Sequence, residues 1–441
     1  MKLKIENEED IKRNEEEKRK PHELLRMQQC MLWDQMENPD LNVHNLTRLY
    51  RYDKSNLNIE KFMNSLNKVI RHHPTYLTVL EKIDENNCVQ RYRPELFKDI
   101  KLEKMNELEF KEKVYPNILY DFQHNLYDKL LINIRVIETE KYLYQIMDHH
   151  HIFFDGYSIK LFLDNLERSY NDKPLITDMY YLRLKELEEM KKGEKYNDMI
   201  NYMNNTYNLK EPCGCPKKDD IDKNVKGLNY YKFQIPNLNN QLENVFHGDH
   251  KLYNNLIVLA SMLAIAKHTN KKDIMVTWSY HGRDSLKARY IAGNLVRLYP
   301  IRIKFEEKMK IKDLNKEIVK QSIEMLKNPY YYPHILYSED GEIMNNIYQK
   351  DLNKVEDFCG IKRVGLPVPE KKLENGIFTN QIIDACYNLI GNDLEVEWQY
   401  PNNRYKKETI DLFRNMFIKY CNKLSEHWND DKEISIMSLI D

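Results

Sequence analysis

Residues 131–171 place two strand patterns, a short turn and an amphipathic helix pattern directly after one another. The segments LINIRVIE (131–138) and KYLYQIMDHHH (141–151) are rich in β-branched, aromatic and other apolar residues, as strands are. In residues 157–171 the apolar side chains recur at helical spacing and mark one face, which consists of Ile159, Phe162, Leu163 and Leu166. Strands followed directly by a helix predict a fold of the mixed α/β (α+β) class.

The second half of the chain repeats this plan. Residues 254–268 are apolar nearly all round and predict a buried helix, whereas DIMVTWSY (273–280) and RLYPIRIKF (297–305) predict buried strands. Between the halves, residues 171–230 change to a mostly polar helix and a loop with Pro, Gly and mixed charge, which is typical of a boundary. The sequence therefore predicts two α/β lobes of similar size.

Composition excludes several classes of protein. The 68 Lys and Arg residues nearly balance the 69 Asp and Glu residues, so nothing indicates binding to nucleic acid or to an anionic membrane. Residues 1–20 are charged, and no run of 18 or more apolar residues occurs, which predicts neither a secretion signal nor a membrane helix. Among the seven cysteines only Cys213 and Cys215 are close in sequence, and a single Cys-x-Cys is a weak metal motif. We interpret the protein as cytoplasmic, with free thiols.

Three consecutive histidines, His149, His150 and His151, end the second strand pattern, and Asp155 and Gly156 follow after three apolar residues. A metal site is disfavoured, because zinc needs three or four converging ligands and neighbouring residues of a strand point to opposite faces. The histidines could instead be buried at a strand end, or one of them could be catalytic, since an ordinary pKa of about 6.5 suits proton transfer. No Gly-x-Ser-x-Gly motif is present, so direct transfer fits better than a covalent enzyme intermediate.

Residues 150–156, HHIFFDG, match an HHxxxDG pattern. The chain therefore resembles the condensation domains of nonribosomal peptide synthetases, within the chloramphenicol-acetyltransferase-like superfamily. Further segments resemble that family in the same order, namely LLRMQQCMLWDQM (24–36), LNIEKFMNSLNKVIRHHP (57–74), CVQRY (88–92), SYHGRD (279–284) and IAGNLVRLYPIRIKF (291–305). The resemblance covers about residues 22–430, which is nearly the whole chain.

This resemblance implies two chloramphenicol-acetyltransferase-like lobes, arranged as a V-shaped pseudo-dimer with a central tunnel. Residues 1–175 would form the lobe that carries HHxxxDG, and residues 176–441 would form the second lobe with segments that cross between the lobes. The implied activity is that of an acyltransferase in nonribosomal peptide biosynthesis, including that of antibiotics. It joins an acyl or aminoacyl thioester on a carrier protein to an acceptor amine, carrier-bound or free, in an amide (peptide) bond.

The same resemblance names the partners and the motif residues. Peptidyl or acyl carrier proteins would present the substrates on phosphopantetheine arms, and we expect a monomer with no covalently bound cofactor and no metal. His151 is implied as the central histidine and His150 as the first of the pair, whereas His149 lies outside the motif. Gly156 would leave space for the substrate and could offer its backbone N–H. Whether His151 acts as a base or mainly orients the amine stays open.

Asp155 is implied to be mainly structural and to pair with Arg283 of SYHGRD, because a buried carboxylate is tolerated only beside a well-placed cation. Epimerization domains share HHxxxDG and a similar arginine motif, so epimerization is one alternative. They also need a Glu four positions before that arginine, and this chain has Ser279 there.

Two further alternatives concern the type of protein. A non-catalytic carrier-recruitment module is disfavoured because the motif histidines are intact, and an acyltransferase that uses coenzyme A donors is disfavoured because the plant Asp-Phe-Gly-Trp-Gly motif is missing. No carrier-protein or adenylation motif occurs in the sequence. We interpret it as a freestanding enzyme that meets its carriers in trans or joins one carrier-bound acyl group to a soluble amine, and a piece of a larger synthetase is the alternative.

Overall fold

The computed structural model of the chain describes most of its residues, namely 7–37, 44–84, 87–119, 122, 125–207, 213–222, 227–328, 343–349, 356–368, 381–430 and 434–435. The chain divides into two compact units. The first unit contains Met1–Lys192, His281–Val296 and Leu352–Leu373. The second unit contains Gly193–Tyr280, Arg297–Asp351 and Glu374–Asp441. Two segments from the second half of the chain are therefore part of the first unit.

Helices and strands alternate along the described parts of the chain. The amino-terminal half contains α1 (Glu8–Glu17), β1 (His22–Glu23), α2 (Arg26–Glu37), β2 (Asn45–Asp53), α3 (Ile59–His72), β3 (Thr78–Lys82), β4 (Cys88–Tyr92), β5 (Leu102–Lys104), α4 (Glu107–Glu109), β6 (Ile132–Glu138), β7 (Tyr142–His150), α5 (Gly156–Tyr170) and α6 (Tyr180–Met190). The carboxy-terminal half continues with α7 (Glu194–Thr206), β8 (Leu228–Ile235), α8 (Leu238–Phe246), α9 (His250–Thr269), β9 (Asp273–Tyr280), β10 (Arg297–Lys304), β11 (Lys308–Met309), α10 (Ile311–Lys327), β12 (Ile343–Gln349), β13 (Glu356–Phe358), β14 (Ile361–Leu366), β15 (Gln381–Ile390), β16 (Asp393–Pro401), α11 (Lys407–His427) and β17 (Ile434–Ser435).

The first unit is built on a sheet whose strand order, within the described residues, is β13-β14-β2-β7-β6-β5. Neighbouring strands are antiparallel except for β5 and β6, which are parallel. Strand β7 lies inside the sheet, where His149 is opposite Leu46 of β2 and Ile132 of β6. Pairing on both sides fixes the register of β7, and the register decides to which face each of its histidines points.

Helices α3 and α5 belong to the hydrophobic core of this unit. The fully buried face of α3 consists of Phe62, Leu66, Val69 and Ile70. The same core contains Leu143 and Met147 from β7 and, from α5, Ile159, Phe162 and Leu166. Burial of such a side chain stabilises the fold by about 1.5–3 kcal/mol. This shared core therefore fixes the ends of β7 and α5, and with them the short loop that joins the two elements.

The second unit is built on another sheet, which has the order β10-β9-β12-β15-β16-β8 among its described residues. Strand β12 is parallel to both of its neighbours, and the other pairs are antiparallel. Helix α9, predicted as a buried helix, contributes a long apolar surface to the core of this unit. Strands β15 and β16 form an antiparallel hairpin with a turn at Gly391.

The mixed α/β class predicted from the sequence is confirmed. The first unit extends to Lys192, whereas the sequence places the lobe boundary between residues 175 and 176. The reason is α6, because its Tyr180 and Tyr181 are buried in a small core together with Ala288, Ile291 and Leu295 of the same unit. In the part of the chain that the structure describes, no helix combines the length and the apolar character needed to span a membrane.

Candidate active site

The three consecutive histidines occupy different environments, and His149 lies in the core. It is fully buried, and its ring contacts those of Tyr76 and Phe154 at centroid distances of 5.4 Å and 4.8 Å. Burial, together with the positive charge of Arg48, lowers the pKa of His149 to about 3. The imidazole is therefore neutral at pH 7 and packs as an aromatic core residue.

His150 ends β7, and by strand alternation its side chain points to the face opposite that of His149. It is fully buried, and its Nδ1 accepts a hydrogen bond from the backbone N–H of Ile152 at 3.2 Å. Its own backbone N–H donates to the carbonyl of Leu131 at 3.0 Å, and the ring of Phe122 lies edge-on to the imidazole at 6.1 Å. These contacts stabilise the turn that follows the strand.

His151 is the first residue after β7, and part of its surface stays exposed. Its backbone N–H donates to the carbonyl of His44 at 2.6 Å, and its carbonyl accepts from Nδ2 of Asn294 at 2.7 Å. Burial of the imidazole and the charge of His44 lower the pKa of His151 to about 4, although Asp155 and nearby backbone carbonyls act in the opposite direction. The imidazole is thus neutral at pH 7 and can accept a hydrogen bond or a proton.

Asp155 is the N-cap of α5. Its Oδ1 accepts hydrogen bonds from the backbone N–H and from Oγ of Ser158, at 2.8 Å and 2.7 Å, and Ser158 Oγ in turn accepts from the backbone N–H of Asp155. This reciprocal capping box satisfies helix donors that have no partner within the helix. Gly156 is then the first residue of α5, and its backbone is helical. The backbone at this position therefore does not need the unusual dihedral angles that only glycine adopts easily.

The predicted pair of Asp155 and Arg283 is present. Their side chains are 2% and 0% exposed, and the guanidinium contacts both carboxylate oxygens, with 3.2 Å between Nη2 and Oδ1. The guanidinium also donates to the carbonyls of Gly293 at 2.6 Å and Ile291 at 3.1 Å. Burial raises the pKa of Asp155, but the charge and hydrogen bonds of Arg283, together with the hydrogen bonds from Ser158, hold this pKa below its ordinary value. A buried pair of this kind is tolerated because both charges are compensated.

A tight turn presents Arg283 to the carboxylate. Gly282 has a φ of +72°, and a Cβ atom at this position would lie 1.9 Å from the carbonyl oxygen of Leu295. A φ in this range strains any residue with a side chain, and the contact with backbone leaves no room for one. The glycine of SYHGRD is therefore required by the backbone, in contrast to Gly156.

Sequence reasoning missed three residues that hold the histidine loop, namely Asp34, His44 and Asn294. Asn294 is fully buried, and its backbone N–H donates to the carbonyl of Phe153 at 2.8 Å, in addition to its side-chain contact with His151. Asn294 lies within IAGNLVRLYP, a segment that resembles the family, and this position could have marked it as a candidate. Nε2 of His44 lies 2.7 Å from Oδ2 of Asp34, and only the fold brings these two residues to the motif.

Other residues singled out from the sequence lie in the second unit. Oγ of Ser279, on β9, donates to Oδ1 of Asn345 at 3.4 Å, so this position carries a hydroxyl group and not a carboxylate. Sγ of Cys213 donates to the carbonyl of Cys215 at 3.2 Å. Within the described ranges, no group of three or more His, Cys, Asp or Glu side chains is arranged to hold a metal ion.

Comparison with known proteins identifies the family. The family model described as "Condensation domain" matches residues 18–346. Bacitracin synthase 1 of Bacillus licheniformis is 21% identical over 399 residues, which are 85% of this chain and 7% of that protein. A linear gramicidin synthase of Brevibacillus parabrevis is 19% identical over 306 residues, which are 63% of this chain and 6% of that protein. The chain therefore corresponds to a small part of the length of these relatives.

Two solved structures have the same fold. The first condensation domain of the calcium-dependent antibiotic synthetase, solved with a substrate analogue, gives a TM-score of 0.69 at 13% identity and covers 95% of this chain and 99% of that one. The epimerization domain from the third module of tyrocidine synthetase B gives 0.69 at 16% identity, with 92% and 98% covered. Because the family model matches most of the sequence, the chain belongs to the condensation-domain family of nonribosomal peptide synthetases.

Proposed function

We propose that the chain forms an amide bond between an acyl or aminoacyl group, carried as a thioester on a carrier protein, and an acceptor amine. The amine nitrogen attacks the thioester carbon, the C–N bond forms and the C–S bond breaks. The nitrogen loses one proton, and the thiolate of the phosphopantetheine arm gains one. The observation that carries this proposal is the neutral, partly exposed His151, held by its backbone beside the buried pair of Asp155 and Arg283.

His151 would accept a hydrogen bond from the attacking amine and take part in moving its proton. A pKa of about 4 keeps the imidazole neutral at pH 7 but makes it a weak base. Orientation of the amine would therefore contribute much of the rate, since well-oriented reactants can react many orders of magnitude faster. In this proposal His151 mainly positions the amine, and proton transfer follows as positive charge develops on the attacking nitrogen.

Gly156 would support the same step. Its backbone N–H is at the first position of α5, where N–H groups have no partner within the helix and the helix dipole favours negative charge. The oxygen of the thioester becomes negative when the amine adds, so an N–H at this position could stabilise the intermediate. His150 would act indirectly, because its side chain stabilises the turn that presents His151.

The test is to offer acyl-loaded carrier proteins and a panel of amines, including aminoacyl carriers, to the purified chain. The proposal predicts an amide of the expected mass together with an equal amount of free carrier thiol. Hydrolysis of the thioester to the free acid, at the same rate with and without amine, would contradict it.

The same reaction carried out in deuterated water tests the rival reaction. Epimerization needs a second acid–base group, and position 279 offers only a serine hydroxyl. We therefore expect no α-deuterium in the aminoacyl group that is recovered. Uptake of α-deuterium without amide formation would assign the chain to epimerization instead.

A further inference from the structure

We propose that Asp34 and His44 form a positioning dyad for His151, which fixes the backbone of the histidine loop. This inference rests on the role proposed for His151 and adds two residues outside HHxxxDG. The dyad would not touch the substrate, so both residues act through His151.

The geometry of the dyad is that of an oriented imidazole. Asp34 is on α2, His44 directly precedes β2, and Nε2 of His44 lies 2.7 Å from Oδ2 of Asp34. Both side chains are largely buried, with exposed fractions of 13% for His44 and 14% for Asp34. A carboxylate that contacts one ring nitrogen fixes the orientation of the imidazole. The ring of His44 in turn lies 6.0 Å from the ring of His150.

The dyad is joined directly to the motif loop. The carbonyl of His44 accepts the backbone N–H of His151 at 2.6 Å, and Asn45 is paired with His150 in the sheet. A displacement of His44 would therefore displace the backbone that carries the reactive imidazole. Catalytic groups commonly lose rate when they move by about 1 Å, so the anchor provided by Asp34 bears on the rate.

The dyad also acts through charge. The charge of His44 opposes protonation of His151, while Asp155 and the carbonyls of His151 and Phe154 favour it. The groups that face His44 itself are Asp34 from α2 and His150 from β7. Removal of the imidazole at position 44 should therefore raise the pKa of His151, because a like charge is lost while the opposing groups remain.

The test is a titration by NMR of the wild-type chain and of the variants His44→Gln and His44→Phe, with ¹³C at Cε1 of histidine and His151→Asn to assign the signal. In both variants at position 44 we expect the pKa of His151 to rise by about one unit. His427→Gln is the matched control, because His427 and Asp430 form a similar pair at 2.9 Å that is about half exposed and lies in the second unit. The control should leave the pKa of His151 unchanged.

A pKa of His151 that stays the same in both variants at position 44 would overturn the dyad. His44→Phe keeps a planar ring beside His150, so it remains informative if His44→Gln does not fold. In the amide assay, Asp34→Asn should lower kcat several-fold and leave KM nearly unchanged, because the variant loosens an anchor rather than a substrate contact. If the pKa shift occurs but no amine is acylated, the proposed function fails and the dyad stands, so the two outcomes are distinguishable.

Discussion

Asp155 combines two tasks in one side chain, since it caps α5 and compensates the charge of Arg283. The motif predicts the acid and the arginine, and the structure contains their ion pair. The capping box with Ser158 is a local pattern that the sequence also contains, although sequence reasoning did not use it. What could not be predicted is the role of the Gly293 and Ile291 carbonyls, because the guanidinium meets them only after the chain has folded back.

Arg283→Met should destabilise the protein strongly. The substitution leaves a buried, uncompensated carboxylate at Asp155, which costs about 3–5 kcal/mol in comparable buried pairs. Denaturation by urea at pH 7 measures the loss. A double variant that combines Arg283→Met with Asp155→Asn keeps a capping side chain but removes the buried charge. It should therefore be more stable than Arg283→Met alone.

A more exposed pair provides the control for this experiment. Arg135 and Glu103 form two hydrogen bonds, at 2.8 Å and 2.7 Å, but their side chains are 34% and 37% exposed. Loss of an exposed pair costs about 1 kcal/mol or less, so Arg135→Met should be mild. Equal losses in Arg283→Met and Arg135→Met would contradict the importance given to the buried pair.

At the scale of the element, alternation along strand β7 separates His149 from His150, and the end of the strand separates His151 from both. The sequence predicts the strand and places His149 outside the motif, and the structure buries His149 fully, opposite Leu46 of β2 and Ile132 of β6. The aromatic partners Tyr76 and Phe154 could not be predicted, since Tyr76 comes from a distant part of the chain.

His149→Leu should make the protein less sensitive to acid. The folded-state pKa of His149, about 3, lies below the ordinary value of about 6.5. The unfolded chain therefore binds one more proton between these values, and stability falls as pH falls from about 6.5 towards 3. For one proton the slope is about 1.4 kcal/mol per pH unit, and the variant should lack this contribution. Unfolding free energies at pH 7 and pH 5 measure it, and an unchanged difference would contradict the core assignment.

The turn at SYHGRD needs glycine at position 282 for lack of space as well as for its φ. Gly282→Ala should destabilise the first unit severely, because its Cβ would collide with the Leu295 carbonyl. Gly360→Ala is the matched control, since Gly360 has a φ of +81° but nothing within 4 Å of the added Cβ. The control incurs only the backbone strain, about 1–2 kcal/mol. Urea midpoints of the two variants that coincide would disprove the collision argument.

At the scale of the whole molecule, the sequence predicts the mixed α/β class, because helical spacing of apolar residues marks α5, while apolar and β-branched composition marks the strand β7 and the buried helix α9. The division into units is harder to predict, since Arg283 and Asn294 come from the second half of the sequence but belong to the first unit. No local sequence pattern indicates that segments from the second half of the chain belong to the first unit. The V-shaped arrangement and the central tunnel stay predictions from the family resemblance.

Single-turnover amide formation by wild type, His151→Ala and His149→Leu tests the central claim, that the last of three adjacent histidines is the one that serves the reaction. We expect His151→Ala to lose a factor of about 10²–10⁴, the range typical of a positioned acid–base group. His149→Leu should stay within a few-fold of wild type, because its imidazole lies in the core. Full activity in His151→Ala, or an equal loss in both variants, would contradict the account.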